Sequence, residues 1–180
     1  MLLPASETIR SPRGEKPKPN GTGPLEVVTN SSGPVPFGFA FSPRGDLIVS
    51  EAGNSTVSSY RLAGTGAARV ISPSLPVGQG AACWVAVTGD GRFAYTGNAT
   101  GSISGFAVGR DGTLTALTPG GLTAASPRPN DLAIAGNSLY AVNPAAGEVT
   151  AYRIQNDGSL VPMPGVQNLG AGQLAGLAAR

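Results

Sequence analysis

The sequence predicts an all-β fold built from repeated four-stranded antiparallel sheets. Glycine and proline are abundant (27 and 16 residues), and charged residues make up only 12% of the 180 positions. Short runs rich in β-branched and aromatic residues alternate with turn residues, a pattern typical of many short strands joined by tight turns. No apolar period of helical spacing extends over three turns, so the sequence does not predict a long helix.

An internal repeat of 46 residues organises the chain. The segment GSISGFAVGRDGTLTAL at 101–117 matches GEVTAYRIQNDGSLVPM at 147–163 and STVSSYRLAGTGAARVI at 55–71, with the apolar positions in register. Apolar triplets recur upstream, FAF at 39–41, VAV at 85–87 and, after 47 residues, LAI at 132–134. A fixed period of this length indicates a repeat architecture.

Each period contains four short strands. In the middle copy we expect them at about 84–88, 92–97, 102–108 and 113–117, with the GDG, NATG and GRDG segments as turns. Four antiparallel strands in 40 to 50 residues are typical of a β-propeller blade, which must stack on neighbours because it cannot bury both faces alone.

The predicted blades cover about 36–81, 82–128 and 129–173, with a closing strand at 174–179. Residues 25–28 are expected to form the outer strand of a preceding blade, and residues 1–24 a disordered segment. Propellers usually close with about four to eight blades, so the sequence predicts a partial ring that one chain does not close. Three explanations stay open, namely a fragment of a longer product, closure by self-association, and an open half-ring. The fragment is favoured because residues 1–24 resemble neither strands nor a targeting segment.

Composition also restricts the partners. The net charge is only +2, and its one dense cluster, RSPRGEKPKP at 10–19, lies among prolines, so no nucleic-acid partner is expected. No apolar stretch approaches the roughly 20 residues needed to cross a membrane. We recognise no signal peptide; the compartment is undetermined, with the cytoplasm as default. Cys83 is the single cysteine, which excludes an intrachain disulfide.

Three longer segments, PFGFAFSPRGDLIVSEAGNSTVSSYRL, ACWVAVTGDGRFAYTGNATGSISGFAVGRDGTLTAL and NSLYAVNPAAGEVTAYRIQNDGSL, resemble the lactonase family of seven-bladed β-propellers, also described as 6-phosphogluconolactonase-like or carboxymuconate-cyclase-like. The resemblance covers about residues 25–180 and matches the last three blades and the closing strand of such a ring. Its most specific elements are the recurring D-G-[ST]-L turn and the SEAG and CWVAVT segments.

The resemblance implies hydrolysis or formation of a lactone ring on a sugar acid or a muconate-type acid. It also implies a site of His, Arg and Glu side chains at one mouth of the central channel. This chain contains no histidine, which argues against catalysis unless a carboxylate is tuned towards neutrality. A lactone hydrolase and a non-catalytic scaffold or binding module therefore both stay open, because propellers serve both roles.

Residues that interrupt the repeat are the candidates for a site. The position that begins the innermost strand reads Gly38, Trp84, Asp131 and Gly176 in successive copies. Trp84 and Asp131 could face the channel and bind a ligand, with Arg128 and Asn130 adding contacts to an anion. Alternatively, Trp84 packs between blades and Asp131 accepts hydrogen bonds from backbone amides.

Glu51 is the candidate general acid or base. It is a carboxylate within an apolar second strand, the 46-residue shift aligns it with Gly97, and burial is expected to raise its pKa. The alternative is a structural carboxylate hydrogen-bonded to a neighbouring blade. Cys83 is expected to be a buried filler. Asp90, Asp111 and Asp157 are expected in hairpin turns rather than as metal ligands. No phosphate loop, zinc-ligand spacing or nucleophile elbow is present, so neither metal nor cofactor is expected.

Overall fold

A computed structural model describes residues 29–64, 66–172, 174 and 176–178, which form three antiparallel sheets. The first sheet contains β1 (Pro36–Phe41), β2 (Asp46–Glu51), β3 (Thr56–Leu62) and β4 (Ala68–Pro76). The second contains β5 (Ala82–Val87), β6 (Phe93–Asn98), β7 (Ser102–Val108) and β8 (Leu114–Ala116), with the short β9 (Ala124–Ala125) paired to β7. The third contains β10 (Asp131–Ala135), β11 (Ser138–Asn143), β12 (Glu148–Ile154) and β13 (Leu160–Val166).

These three sheets confirm the predicted fold class. The described residues contain strands and turns but no helix, and hence no helix that could span a membrane. Each sheet orders its first four strands as they occur in the chain, which is the arrangement of a propeller blade. None of the sheets closes into a ring, so the described residues form a partial propeller. We call the three sheets blades 1, 2 and 3.

The first strand of each blade lies innermost. Strand β5 packs against β1 and β2, and β10 packs against β5 and β6. Neighbouring blades therefore approach each other most closely through their first two strands, as expected for blades arranged around a channel. The first strands all begin at the same end of the channel, which we call the mouth.

Apolar side chains fill the two spaces between blades. The space between blades 1 and 2 includes Ile48 and Val57 on one side and Val85, Ala94 and Phe106 on the other. The space between blades 2 and 3 is filled by residues from both blades: Ala86, Phe93, Tyr95, Ile103, Leu132, Leu139, Ala141, Tyr152 and Leu160. Each internal interface thus buries one face of two blades, which is why a blade needs neighbours.

The D-G-[ST]-L segments are hairpin turns away from the mouth. Asp111 Oδ1 accepts hydrogen bonds from the main-chain N–H of Thr113 (3.1 Å) and from its hydroxyl (2.7 Å). Asp157 Oδ1 makes the same pair of contacts with Ser159 (2.9 and 2.7 Å). The glycine that follows each aspartate has a positive φ, 87° at 112 and 84° at 158, which glycine adopts at little cost.

Arginine side chains connect the turns of successive blades. Arg44 Nη2 donates to the carbonyl oxygens of Gly91 (2.9 Å) and Gly109 (3.1 Å), both in blade 2. Arg92 Nη1 of blade 2 donates in turn to the Asn156 carbonyl of blade 3 (3.3 Å). Blades 1 and 2 thus each donate hydrogen bonds to backbone acceptors of the blade that follows.

Two terminal predictions concern residues outside this description. The predicted disordered segment 1–24 and the predicted outer strand 25–28 lie outside the described residues. Of the predicted closing strand, 174 and 176–178 are described and belong to no strand. The N–H of Leu177 instead donates to Asp131 Oδ2 (2.8 Å), which ties this segment to the start of β10.

Candidate ligand site at the channel mouth

A residue with a left-handed backbone conformation precedes the innermost strand of each blade. Val35, Ala81 and Arg128 have φ angles of 56°, 54° and 57°. They occupy equivalent positions in the repeat, so this conformation belongs to the way each blade is entered. The positive φ of Arg128 is therefore a property of the fold and not a distortion specific to a site.

Trp84 pairs with Phe37 at the mouth. Their ring centroids lie 5.6 Å apart with an interplanar angle of 76°, an edge-to-face arrangement that aromatic rings favour. Both side chains are partly exposed. Sequence reasoning missed Phe37; the signal available for it was the alternation of phenylalanines at 37, 39 and 41.

Gly38 allows the two inner strands to come together beside this pair. A Cβ atom at Gly38 would lie 2.4 Å from the Cys83 carbonyl oxygen and 2.7 Å from the Cα of Trp84. The Ser50 hydroxyl also donates to the Cys83 carbonyl and so bridges β2 and β5. Glycine at 38 is thus a requirement of close packing, and it brings Trp84 next to β1.

Asp131 accepts backbone hydrogen bonds at the start of β10. Its Oδ1 accepts from the N–H of Leu132 (2.7 Å) and its Oδ2 from the N–H of Leu177 (2.8 Å). The neighbouring Arg128 and Asn130 are exposed, and the Asn130 main-chain N–H donates to the Val142 carbonyl (2.9 Å). A guanidinium group and a side-chain amide are therefore accessible to a ligand, whereas the Asp131 carboxylate already has two donors.

Glu51 is fully buried and surrounded by donors. Its Oε1 accepts hydrogen bonds from the Ser31 hydroxyl (2.7 Å), the Gly33 N–H (2.8 Å) and the Ser58 hydroxyl (2.7 Å). Its Oε2 accepts from the Thr56 hydroxyl (2.5 Å). Burial acts to raise the pKa of this carboxyl, but the four hydrogen bonds outweigh it and hold the pKa below its ordinary value. The expected rise was therefore wrong in direction.

The strand register shows why Glu51 looked like an interruption of the repeat. Glu51 pairs with Thr56 in the way that Asn98 pairs with Ser102 and Asn143 with Glu148, so Glu51 corresponds to Asn98 and not to Gly97. Asn98 and Asn143 are also fully buried. Each blade thus ends its second strand on a buried polar residue, which we call the plug residue.

Hydroxyl groups of the following strand bind each plug residue. The Asn98 amide donates to Ser102 (3.1 Å) and Ser104 (2.8 Å). The Asn143 amide donates to Thr150 (3.1 Å), and its carbonyl oxygen accepts from Ser126 (2.9 Å). Glu51 likewise binds the third strand of its own blade and the segment 31–33, so the expected hydrogen bond to a neighbouring blade does not form among the described residues.

Two further ionisable groups, Cys83 and Asp90, have pKa values shifted away from neutrality. Cys83 is half-buried, and burial raises the pKa of its thiol, which disfavours the nucleophilic thiolate. The Arg92 side chain and Thr88 lower the pKa of Asp90 to about 2, in an exposed turn. Among the described side chains, His, Cys, Asp and Glu nowhere form a group of three that could hold a metal ion. The exposed groups at the mouth are the Phe37–Trp84 aromatic pair, the Arg128 guanidinium and the Asn130 amide.

Blades of this topology with their inner strands gathered around a channel define the β-propeller class. The chain belongs to the lactonase family of seven-bladed β-propellers, because the model of that family matches residues 70–174, more than half of the sequence.

Solved structures agree with this fold. A protein from Lactobacillus plantarum superposes with a TM-score of 0.67 at 20% sequence identity, over 82% of this chain and 46% of that one. A periplasmic gluconolactonase from Pseudomonas aeruginosa superposes with a TM-score of 0.66 at 20% identity, over 82% and 43%. The chain thus spans less than half the length of either structure, and at this identity the similarity concerns the fold. A search of curated proteins found no significant match.

Proposed function

We propose that this chain provides the ligand-binding blades of a lactonase-family propeller and recognises a lactone or sugar acid at the channel mouth. The observation that carries the proposal is the partly exposed Phe37–Trp84 pair. Because β10 packs against β5, the exposed Arg128 and Asn130 that precede β10 belong to the same mouth.

The chemistry of these groups suits a polar ring that carries an anionic group. Aromatic side chains provide an apolar surface with defined geometry for the C–H groups of a sugar ring. A guanidinium binds a carboxylate through two parallel hydrogen bonds, and an amide can both donate to and accept from hydroxyl groups. A sugar acid and its lactone present these features together.

Binding without hydrolysis is the function that we propose for the chain itself. The sequence has no histidine, and the Glu51 carboxylate is buried with four donors and a lowered pKa. Neither provides a base that titrates near neutrality. This observation favours the non-catalytic binding module. Lactone hydrolysis, the family-level activity, is the second candidate and would require a general base from further blades.

Trp84 provides a direct test because it is the only tryptophan of the chain. We expect its fluorescence to change saturably on titration with gluconate or glucono-δ-lactone. Arg128→Ala should raise the dissociation constant for gluconate about tenfold or more, since a charge-assisted hydrogen bond contributes about 1.5–3 kcal/mol. Arg110→Ala is the matched control, because Arg110 is also exposed but lies in the turn after β7, at the opposite end.

Hydrolysis is measured separately by the release of acid from the lactone. We expect the rate with the chain to equal the uncatalysed rate. A fluorescence response that is absent, or that both arginine variants abolish equally, would contradict the proposed binding site. Hydrolysis that disappears in Glu51→Gln would contradict a binding role alone and would restore Glu51 as a catalytic residue.

A further inference from the structure

Each plug residue is linked to the segment that leads into the innermost strand of its own blade. We define three entry segments, each ending directly before the residue with a left-handed backbone conformation: 31–34, 77–80 and 124–127. Glu51 accepts hydrogen bonds from the Ser31 hydroxyl and the Gly33 N–H of the first entry segment. The chain is thus tied to a buried polar residue just before it reaches the mouth.

The same link is present in the other two blades. The Asn98 amide donates to the Ser104 hydroxyl (2.8 Å), which donates in turn to the Val77 carbonyl of the second entry segment (3.2 Å). Asn143 Oδ1 accepts directly from the Ser126 hydroxyl of the third entry segment (2.9 Å). Because the link recurs, it belongs to the way in which each blade presents its residues at the mouth.

In blade 3 this link leads to the anion contact of the proposed site. Ser126 and Asn143 are 2 and 0% exposed, and the Thr150 hydroxyl lies 3.0 Å from the Ser126 hydroxyl and 3.1 Å from the Asn143 amide. The Ser126 N–H donates to the Gly101 carbonyl of blade 2 (3.3 Å), and the Ser126 carbonyl accepts from the Arg128 N–H (2.7 Å). Ser126 is therefore held by both blades, and it holds Arg128.

The backbone of Arg128 needs contacts of this kind. Its φ of 57° is left-handed, and Arg128 precedes Pro129, although a residue before proline favours an extended backbone. Such a conformation persists only where the surrounding structure holds it. On the side of the entry segment, the hydrogen bond between Ser126 and Asn143 provides a buried side-chain contact that does so.

We propose that Asn143 is a positioning residue of the channel mouth, which through Ser126 fixes the entry segment that presents the Arg128 guanidinium to the carboxylate of a bound sugar acid. This inference rests on the proposed binding of a sugar acid at the mouth. Asn143 is fully buried and acts through the exposed Arg128. Because a guanidinium binds a carboxylate in a defined orientation, loss of Asn143 affects the anion gluconate more than the uncharged glucono-δ-lactone.

The test compares Asn143→Ala with Asn98→Ala, which removes an equally buried amide one blade earlier. Binding of gluconate and of glucono-δ-lactone is measured separately by Trp84 fluorescence. We expect Asn143→Ala to raise the dissociation constant about three- to tenfold for gluconate and less than about twofold for the lactone. Asn98→Ala should change both constants by the same factor, because the second entry segment leads to Trp84 and not to Arg128.

A double-mutant cycle shows whether Asn143 acts through Arg128. In the Arg128→Ala background, Asn143→Ala should raise the dissociation constant for gluconate by less than about twofold, because the group that it positions is already absent. Equal factors in the two backgrounds would overturn the proposal, since Asn143 would then support the fold in general. An Asn143→Ala variant that weakens gluconate and lactone alike would overturn it too.

Hydrogen exchange of the ligand-free chain separates this inference from the proposed function. We expect the Arg128 N–H to exchange at least about tenfold faster in Asn143→Ala than in the wild type and at a nearly unchanged rate in Asn98→Ala, which controls for a general loss of stability. Ser126→Ala removes the same contact by a smaller change and should act likewise if Asn143→Ala does not fold. Faster exchange in a chain that gives no gluconate response would support the positioning of Arg128 and contradict the sugar-acid site. Unchanged exchange would overturn the positioning role whatever the response to gluconate.

Discussion

Replacing Glu51 by alanine is expected to destabilise the chain by about 3–5 kcal/mol, and replacing it by glutamine by only about 1–2 kcal/mol. Alanine leaves the Gly33 N–H and three hydroxyls without their acceptor in a fully buried place. Glutamine retains an acceptor in the place of Oε1, and its amide can donate to the Thr56 hydroxyl. The amides of Asn98 and Asn143 show that an amide suits this position in a blade.

Thermal unfolding followed by circular dichroism measures both losses. In a chain of this size 1 kcal/mol corresponds to about 2–4 °C, so alanine should lower the midpoint by about 6–20 °C and glutamine by about 2–8 °C. Equal losses for the two variants would show that the acceptor which glutamine retains at position 51 gives no more stability than the methyl group of alanine. No loss in either would refute a structural role for Glu51.

The pH dependence of the melting midpoint is a second test of the Glu51 carboxylate. Its folded-state pKa lies below the ordinary value of 4.5, so the unfolded chain binds this proton first as the pH falls. The stabilisation that its charge contributes is therefore present above pH 4.5 and is lost as the pH falls through the lower, folded-state pKa. We expect the gap in midpoint between wild type and Glu51→Gln to shrink from pH 7 to pH 3. The turn aspartates are common to both proteins, so their contributions to the pH dependence cancel in this comparison. A gap that stays constant would show that the charge of Glu51 does not stabilise the fold.

Three further substitutions test the backbone. Ala81→Gly should stabilise the chain by about 0.5–1 kcal/mol, because relief of the left-handed backbone conformation (φ 54°) exceeds the entropic cost of glycine. The stabilisation should appear as a higher melting midpoint, and a lower midpoint would contradict backbone strain at Ala81. Gly38→Ala should destabilise the chain by about 1–3 kcal/mol or more in urea unfolding, because the added Cβ would meet the Cys83 carbonyl. The control Gly89→Ala should be nearly neutral, because a Cβ there would lie in open space. Equal effects of the two substitutions would contradict the close approach of β1 and β5 at Gly38. Asp157→Ala should cost about 0.5–1.5 kcal/mol in the same assay, since the turn loses its side-chain acceptor; an unchanged stability would show that the glycine alone maintains the turn.

The blade architecture could be predicted because the inner strands keep an apolar alternation at nearly constant spacing. In blades 2 and 3 the triplets at 85–87 and 132–134 supply side chains that pack on the preceding blade, and the triplet at 39–41 supplies Ala40 to the space between blades 1 and 2. The D-G-[ST]-L turns were predictable for a local reason, since aspartate accepts from its own backbone and glycine adopts positive φ.

The role of Glu51 could not be obtained from a uniform shift of 46 residues. Blade 1 joins its first two strands with four residues and blade 2 with five, whereas the next connection has four residues in blade 1 and three in blade 2. The second strand is therefore displaced by one position while the first and third strands stay in register. That single displacement made a repeated plug residue look like an exception.

The aromatic pair at the mouth also depends on more than sequence pattern. Trp84 and Phe37 lie on different strands, and their contact requires β1 and β5 to approach as closely as Gly38 permits. Both rings also lie where the strand pairing is irregular, between Pro36 and Phe39 and between Ala82 and Val85, so alternation does not give the face on which each ring lies. The distance between two strands of different blades is a property of the packed structure.

The arginines that connect successive turns have a mechanical consequence. The Arg44 side chain of blade 1 donates hydrogen bonds to two carbonyls of blade 2, and the Arg92 side chain of blade 2 donates to one carbonyl of blade 3. Separating two blades would leave backbone acceptors of the second one without these donors, in addition to exposing apolar surface. Opening of one blade thus weakens the adjacent one, and thermal fluctuations should spread along the series instead of remaining within a single sheet.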